Sequence, residues 1–177
     1  MRQREFVAIY DEHVWRVYGF FAYRVRSRQD AEDLTQLTFE RALRAWARYD
    51  EQRAGVATWL IAIARNLLID HLRAGTAGRQ QVLTEPDLET LAATPDQHGI
   101  GLDPDLERAL AELNPREREL IALRFGGDLT GPEIAELTGL TLANVQQILS
   151  RALRRMRSSL DGTALQRESV PERSLGA

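Results

Sequence analysis

From Thr130 to Arg155 the chain carries the pattern that most narrows what it can fold into. Thr130-Gly131-Pro132-Glu133 reads as a capping box, in which the threonine side chain caps backbone N–H groups at a helix start and Glu133 reaches back to the cap residue. Proline in that first turn forfeits no needed hydrogen bond. Ile134, Ala135 and Leu137 then face a core, and the small Ala135 lets a second helix come close. Gly139 supplies the sharp turn because it tolerates a positive backbone angle. Leu140 packs beneath the turn, and Thr141 caps a second helix whose inward stripe is Val145, Ile148 and Leu149. Two short helices at this spacing read as a helix-turn-helix, whose second helix enters the major groove of DNA. A plain helical hairpin would show the same apolar stripe, and the outward face is what argues for DNA. Asn144, Gln146, Gln147, Ser150, Arg151, Arg154 and Arg155 are side chains that pair with base edges and phosphates. Asn and Gln suit adenine, whereas the arginines from Arg151 onward suit the phosphate backbone.

The rest of the chain is also helical in its periodicity. Residues 5–26 place Phe6, Ile9, Tyr10, Val14, Val17, Tyr18, Phe21 and Val25 at steps of three and four. Ser27 and Arg28 interrupt this run. A second helix opens near Asp30, with Asp30, Glu32 and Asp33 at its positive end and Arg41, Arg44 and Arg48 toward its negative end. After a break at 50–57 a third helix runs from about Thr58 to Arg73, with Leu60, Ile63, Leu67 and Leu68 as its buried stripe. Periodicity is lost from Ala74 to about Asp103, then returns at Pro104–Leu113 and Arg116–Phe125, ending at Gly126 and Gly127. The expected fold is therefore all-α: two small helical domains, residues 1–75 and 104–160, joined by a flexible acidic linker at 76–103. A polar tail from 161 to 177 is expected to fray. Each module should have only a thin core.

Composition removes several classes of function. There is no cysteine, which excludes disulfides, thiolate zinc sites and thiol nucleophiles. His13, His71 and His98 lie in separate segments without metal-ligand spacing, and Asp70 and His71 point about 100° apart on a helix. No cofactor and no enzymatic activity are expected. The longest apolar stretch, Val56–Ala64, is far shorter than the about 20 residues a bilayer requires. The first residues, with Arg2, Arg4 and Glu5, lack an apolar signal core, so a cytoplasmic location is expected. The net charge of -3 looks wrong for a nucleic-acid binder until it is divided along the chain. Residues 1–75 carry 12 arginines against 10 acids and residues 104–160 carry eight of each, so the acid excess sits in the middle. All 23 basic residues are arginine, which suits bidentate phosphate contact but is equally what a GC-rich genome produces.

Read as text, Asp30-Ala31-Glu32-Asp33-Leu34-Thr35-Gln36 with Thr38-Phe39 closely resembles region 2 of the extracytoplasmic-function (ECF) sigma factors of the sigma-70 family. The run Trp59-Leu60-Ile61-Ala62-Ile63-Ala64-Arg65-Asn66 to Asp70-His71-Leu72-Arg73 continues the same resemblance. Residues 104–160 resemble region 4 of that family, and the lack of a region 3 between them is the mark of the ECF group. The resemblance covers about nine tenths of the chain.

It implies a non-enzymatic subunit that gives bacterial core RNA polymerase its promoter specificity. Asp33, Gln36 and Phe39 would contact core polymerase, with Leu37 standing where the family usually has an acid. The loop at 49–57 would capture a base of the melted minus-ten strand, using Tyr49, Arg53, Trp59 and Asn66, while Arg65 and Arg73 neutralise phosphates. Trp59 is equally suited to anchor a core, and Asn66 to be an ordinary exposed helix residue. Asn144, Gln146, Gln147, Ser150, Arg151 and Arg154 would read the duplex minus-thirty-five element, although many relatives are basic where this chain has Gln146 and Ile148. The acids from Glu85 to Asp103 would run through polymerase channels, and an anti-sigma factor is an expected partner. The competing reading is a free-standing helix-turn-helix regulator. It accounts for residues 128–157 but leaves the two region 2 motifs and the acidic linker unexplained.

Overall fold

In the computed structural model, backbone is described for residues 2–79 and 102–168, with side chains over 5–74 and 102–161. The helices in these residues are α1 (Arg2–Ala22), α2 (Arg28–Ala45), α3 (Val56–Arg79), α4 (Pro104–Ala111), α5 (Pro115–Ile121), α6 (Gly131–Thr138) and α7 (Leu142–Glu168). A 3-10 turn, Trp46–Arg48, follows α2, and a π-helical turn, Ala122–Gly126, extends α5.

The helix starts are written in local chemistry. Ser27 accepts from the Asp30 backbone N–H at 3.2 Å and opens α2 two residues before the acids that announced it. Asn114 and Glu117 form a reciprocal capping box on α5, and Thr130 and Glu133 form the expected one on α6. Asp103 caps α4, whose last carbonyls, Leu110 and Ala111, accept from the Arg118 guanidinium at 2.9 and 3.0 Å. Gly139 ends α6 at φ 71°, the left-handed turn that the helix-turn-helix demands, and Thr141 accepts from the Asn144 N–H at the start of α7.

Two boundaries differ from expectation. Helix α3 continues through Arg79 into the segment read as linker, and α7 continues to Glu168 where a frayed tail was expected after Leu160. Gly162 is a weak helix former, but Ala164, Leu165, Gln166 and Arg167 are good ones and no proline interrupts α7, so the helix carries on through these turns. The acids Glu85, Asp87, Glu89 and Asp96 of the expected linker, His98, and residues 169–177 lie outside the described residues.

Helices α1, α2 and α3 form one bundle, and α4 to α7 form a second. The two do not have separate thin cores as the composition suggested. A single apolar cluster runs from Phe6, Val17, Phe20 and Phe21 of α1 through Leu60, Ile61, Leu67 and Leu68 of α3 into Leu120, Leu123, Leu129, Ile134 and Val145 of the second bundle. Only the outer part of that second bundle has a cluster of its own: Ala109, Leu110, Leu113, Ile121, Ala152 and Met156. Phe20 and Ile61, absent from the helical stripes read in sequence, are both fully buried. They lie on second apolar faces of α1 and α3, which the other bundle covers.

The seam between the bundles is also polar. Glu119 of α5 takes Arg65 of α3 at 2.7 Å and Arg116 at 2.7 Å. Glu133, while serving its capping box, accepts the Thr58 hydroxyl of α3 at 2.8 Å. Arg16 of α1 meets Asp128 at 2.8 Å, and Arg24 donates to the Pro115 carbonyl at 3.1 Å. Asp128 holds a positive φ of 51°, a conformation aspartate tolerates better than most residues. Burial pushes the Glu119 carboxyl up, but the guanidinium groups of Arg65 and Arg116 outweigh it and hold the group below the ordinary glutamate value. The Thr130 hydroxyl holds Glu133 down against a smaller opposing effect of burial, helped by the Thr130 backbone N–H and Thr58.

Two outcomes follow from this packing. Phe20→Ala removes a fully buried ring beneath the seam and should lower the unfolding free energy by about 3–5 kcal/mol in urea denaturation followed by circular dichroism. Glu119 and Glu133 have folded pKa values below their unfolded ones, so the stability they contribute is complete above the unfolded value and is lost as pH falls through the folded values. Unfolding free energy should thus decline as pH falls below the unfolded glutamate value of about 4.3, and Glu119→Gln should make that decline shallower in a matched urea series.

Candidate nucleic-acid and polymerase interface

Helix α3 carries the residues of interest along two lines. At about 100° per residue, positions seven apart fall almost in line, spaced about 10.5 Å along the axis. Trp59, Asn66 and Arg73 form one such line, and Thr58 and Arg65 form another about 100° away. Asn66 and Arg73 are exposed and Trp59 is half-buried. The second line faces the other bundle, where Thr58 and Arg65 are bonded to Glu133 and Glu119. Arg65, read from the sequence as a phosphate-neutralising residue, is therefore engaged by a carboxylate within the chain.

The loop before α3 is pre-arranged. The Tyr49 hydroxyl donates to the Ala54 carbonyl at 2.9 Å, and Asp50 folds the turn by accepting from the Arg53 backbone N–H through its carbonyl and the Gln52 N–H through its side chain. Tyr49 stacks on Trp46 with ring centroids 5.0 Å apart and planes 9° apart, and both contact Trp59 at 4.8 and 5.9 Å. Trp46 in turn meets Phe6, and Phe6 meets Phe39, which Tyr10 also touches. Trp59 thus belongs to this aromatic packing and is half-buried within it. Arg53 is exposed at the loop tip.

On α2 the outward face is a ladder of polar side chains. Gln29 donates to Asp33 at 2.8 Å and Gln36 to Glu40 at 3.4 Å, with Asp33 and Gln36 exposed. Sequence reading named Asp33 and Gln36 but not Gln29 or Glu40, which extend the same face by one turn in each direction. Phe39 corrects the sequence assignment. It is only 5% exposed and packs against Phe6 and Tyr10, so it supports the α2 face from beneath and does not offer itself to a partner. Its position falls at the edge of the buried arc formed by Ala31, Leu34, Thr35, Thr38 and Ala42. The buried hydroxyls of Thr35 and Thr38 are satisfied by Ala31 and Leu34 carbonyls, at 2.6 and 2.7 Å. Leu37, standing where an acid was expected, is half-buried against the core.

Helix α7 is sharply divided. Val145, Ile148, Leu149, Ala152 and Met156 occupy the arc turned to the apolar clusters, with Val145 and Ala152 fully buried. Asn144, Gln146, Gln147, Ser150, Arg151 and Arg154 occupy the opposite arc, all exposed. Ile148 is a packing residue, so a basic side chain at this position would have to leave the helix-turn-helix core. Arg155, counted in sequence among the outward side chains, turns back to the buried carboxylate of Glu117 at 3.1 Å and ties α7 to α5. Among the described residues no group of His, Cys, Asp and Glu could hold a metal ion, and no helix is long and apolar enough to cross a membrane.

Comparison with known proteins matches each of the two bundles to a family. Residues 9–77 match the family described as Sigma-70 region 2, and residues 109–158 match Sigma-70, region 4. The chain is 32% identical over 160 residues to the ECF RNA polymerase sigma factor RpoE of Cereibacter sphaeroides, covering 88% of this chain and 86% of that protein. It is 33% identical over 153 residues to the ECF RNA polymerase sigma factor BldN of Streptomyces coelicolor, covering 84% of this chain but only 58% of that relative's length. In three dimensions it is similar to a sigma factor RpoE from Bartonella quintana, solved in complex with the anti-sigma factor NepR. The TM-score is 0.72 at 23% identity, with 89% of this chain and 98% of that one covered. It is also similar to CnrH, solved with the cytosolic domain of CnrY, at a TM-score of 0.64, 23% identity and 90% coverage of both. The two bundles, in this order and at this length, place the chain in the sigma-70 family as a member of its ECF group of RNA polymerase sigma factors.

Proposed function

We propose a division of labour for the two bundles of this sigma factor. Region 2, residues 1–75, docks on core RNA polymerase through the α2 face of Asp33 and Gln36, supported by Phe39 from beneath. The loop at 49–55 and the α3 line of Trp59, Asn66 and Arg73 take the melted minus-ten strand. Region 4, residues 104–160, lays the polar arc of α7 in the major groove of the minus-thirty-five element. The protein works in the cytoplasm, where its polymerase is.

The observation that carries this reading is the α3 line beside the preformed loop. A base out of the stack needs an aromatic wall, a hydrogen-bonding group for its edge and a cation for its phosphate. Trp59, Asn66 and Arg73 supply these in sequence along one helix face, with Tyr49 at the entrance. On α7, Asn144, Gln146 and Gln147 offer amides suited to adenine near the helix N-terminus, where a recognition helix reads bases. Ser150, Arg151 and Arg154 follow toward the phosphates. An anti-sigma protein is the expected regulator; the solved sigma factor RpoE of similar fold was captured with the anti-sigma factor NepR.

Run-off transcription with purified bacterial core enzyme on a promoter library tests the reading. Promoter-dependent transcripts should appear only when this chain is added, whereas tight binding to duplex operators without polymerase would favour a free-standing regulator. Asn66→Ala should lose about 1–3 kcal/mol of discrimination at one minus-ten base, measured as relative transcript yield across the library, while co-purification with core enzyme is unchanged. Gln147→Ala should relax selection at one minus-thirty-five base and leave the minus-ten preference as it is.

A further inference from the structure

Outside the surfaces proposed for polymerase and promoter, arginines gather where the turn after α1 meets α3 and α5. We infer that Arg24, Arg65 and Arg116, with Arg26 and Arg118 beside them, form a binding site for the phosphoryl group of a small molecule, either free phosphate or a nucleoside phosphate.

The arrangement begins at Glu119. Its two carboxylate oxygens each take a guanidinium, Arg65 of α3 at 2.7 Å and Arg116 of α5 at 2.7 Å. Arg24, in the turn after α1, feels the charges of Glu119 and Arg65 and is fixed by donating to the Pro115 carbonyl at 3.1 Å. Burial pushes its guanidinium below the ordinary value; Glu119 opposes that, and Arg118 and Arg65 add to it. Arg118 is lowered in the same way, by burial first and then by Arg26. Three parts of the chain remote in sequence thus bring five guanidinium groups around one carboxylate. The neighbouring acid of α5, Glu117, does not relieve them, because it is taken by Arg155 and by the Asn114 N–H.

Such a group is short of anionic acceptors. Arg118 directs its donors to the main-chain carbonyls of Leu110, Ala111 and Leu113, and Arg24 donates to that of Pro115; these are dipoles and leave the charge uncompensated. The Arg24 Nε is buried with no partner among the described residues. Like charges held together in a partly buried place repel, and a bound dianion removes that repulsion.

Two properties select a phosphoryl group. Guanidinium forks match its oxygens in pairs. A phosphate monoester also carries about 1.5 to 2 negative charges near pH 7, more than a second carboxylate would bring. Access is one-sided. The side chains of Arg65 and Glu119 are only 24% and 15% exposed, whereas Arg26 is exposed and Arg116 is 39% exposed, so the anion enters over Arg26 and Arg116 with Arg24 and Arg65 behind. Charges set back in this way suit a terminal phosphoryl group better than the continuous backbone of a strand.

Isothermal titration of the full chain with pyrophosphate, at an ionic strength fixed with sodium chloride, tests the site. One saturable binding event should appear, and inorganic phosphate should compete for it. Arg26→Gln and Arg116→Gln, at the members open to solvent, should each weaken the affinity about three- to tenfold, while Arg44→Gln on the exposed side of α2 should leave it unchanged. Glu119→Gln keeps the shape of the side chain and removes the one competing anion, so it should tighten binding about tenfold. Circular dichroism checks that each variant is folded, and the two arginine variants decide the matter should Glu119→Gln not fold. No saturable heat overturns the site, as does an equal loss in Arg44→Gln or weaker binding in folded Glu119→Gln. A short oligothymidylate distinguishes the source of the phosphate: if it binds in a manner sensitive to Arg26→Gln and Arg116→Gln while pyrophosphate does not bind, the cluster is a nucleic-acid surface and the small-molecule site is overturned.

Discussion

Everything in this molecule is arranged around a place where two main chains touch without side chains between them. At Gly19 and Gly126 the first helix and the π-helical turn after α5 come together backbone to backbone. That approach lets Phe20 and Ile61 bury themselves completely, and lets the apolar cluster of region 2 continue into the helix-turn-helix. Neither bundle is large. Small domains bury a modest share of their surface and are correspondingly marginal, so a shared interior is a physical advantage to both. The π turn has its own part in this, since an extra residue in the last turn of a helix redirects the chain, here into Gly127, Asp128 and the start of α6.

The polar side of the seam has a different character from its apolar side. Exposed ion pairs such as Arg16–Asp128 contribute about 0–1 kcal/mol and are screened by salt. Arg65–Glu119 is less exposed, with side chains 24% and 15% accessible, and its partners cannot be separated without replacing what each has lost.

Helix α3 is where these demands meet, and seven-residue spacing reconciles them. Trp59, Asn66 and Arg73 look one way, Thr58 and Arg65 another, and Leu60, Ile61, Ala64, Leu67 and Leu68 fill the interior. A helix that is apolar on its deep faces can pack into the core and against region 4 while it keeps Asn66 and Arg73 exposed.

The local chemistry of the chain was legible without its coordinates: the Thr130–Glu133 box, the Gly139 turn, the inward stripe of α7 and its outward amides and arginines are all decided by residues within a turn or two of one another. The α2 and α3 motifs named the family for the same reason, because spacing along a helix is a property of sequence. What the tertiary structure alone decided were the contacts between residues distant in the chain. Phe39 sits under the α2 face and not upon it because Phe6 and Tyr10 reach it from α1. Arg155 turns inward because Glu117 is buried beside it. Arg65 is taken by Glu119, 54 positions away, and Phe20 is covered by a bundle that begins some eighty residues later. Periodicity tells a helix which faces are apolar; which neighbour covers each face is set by how the bundles pack, and a second apolar face that reads as excess in one bundle is the seam with the other.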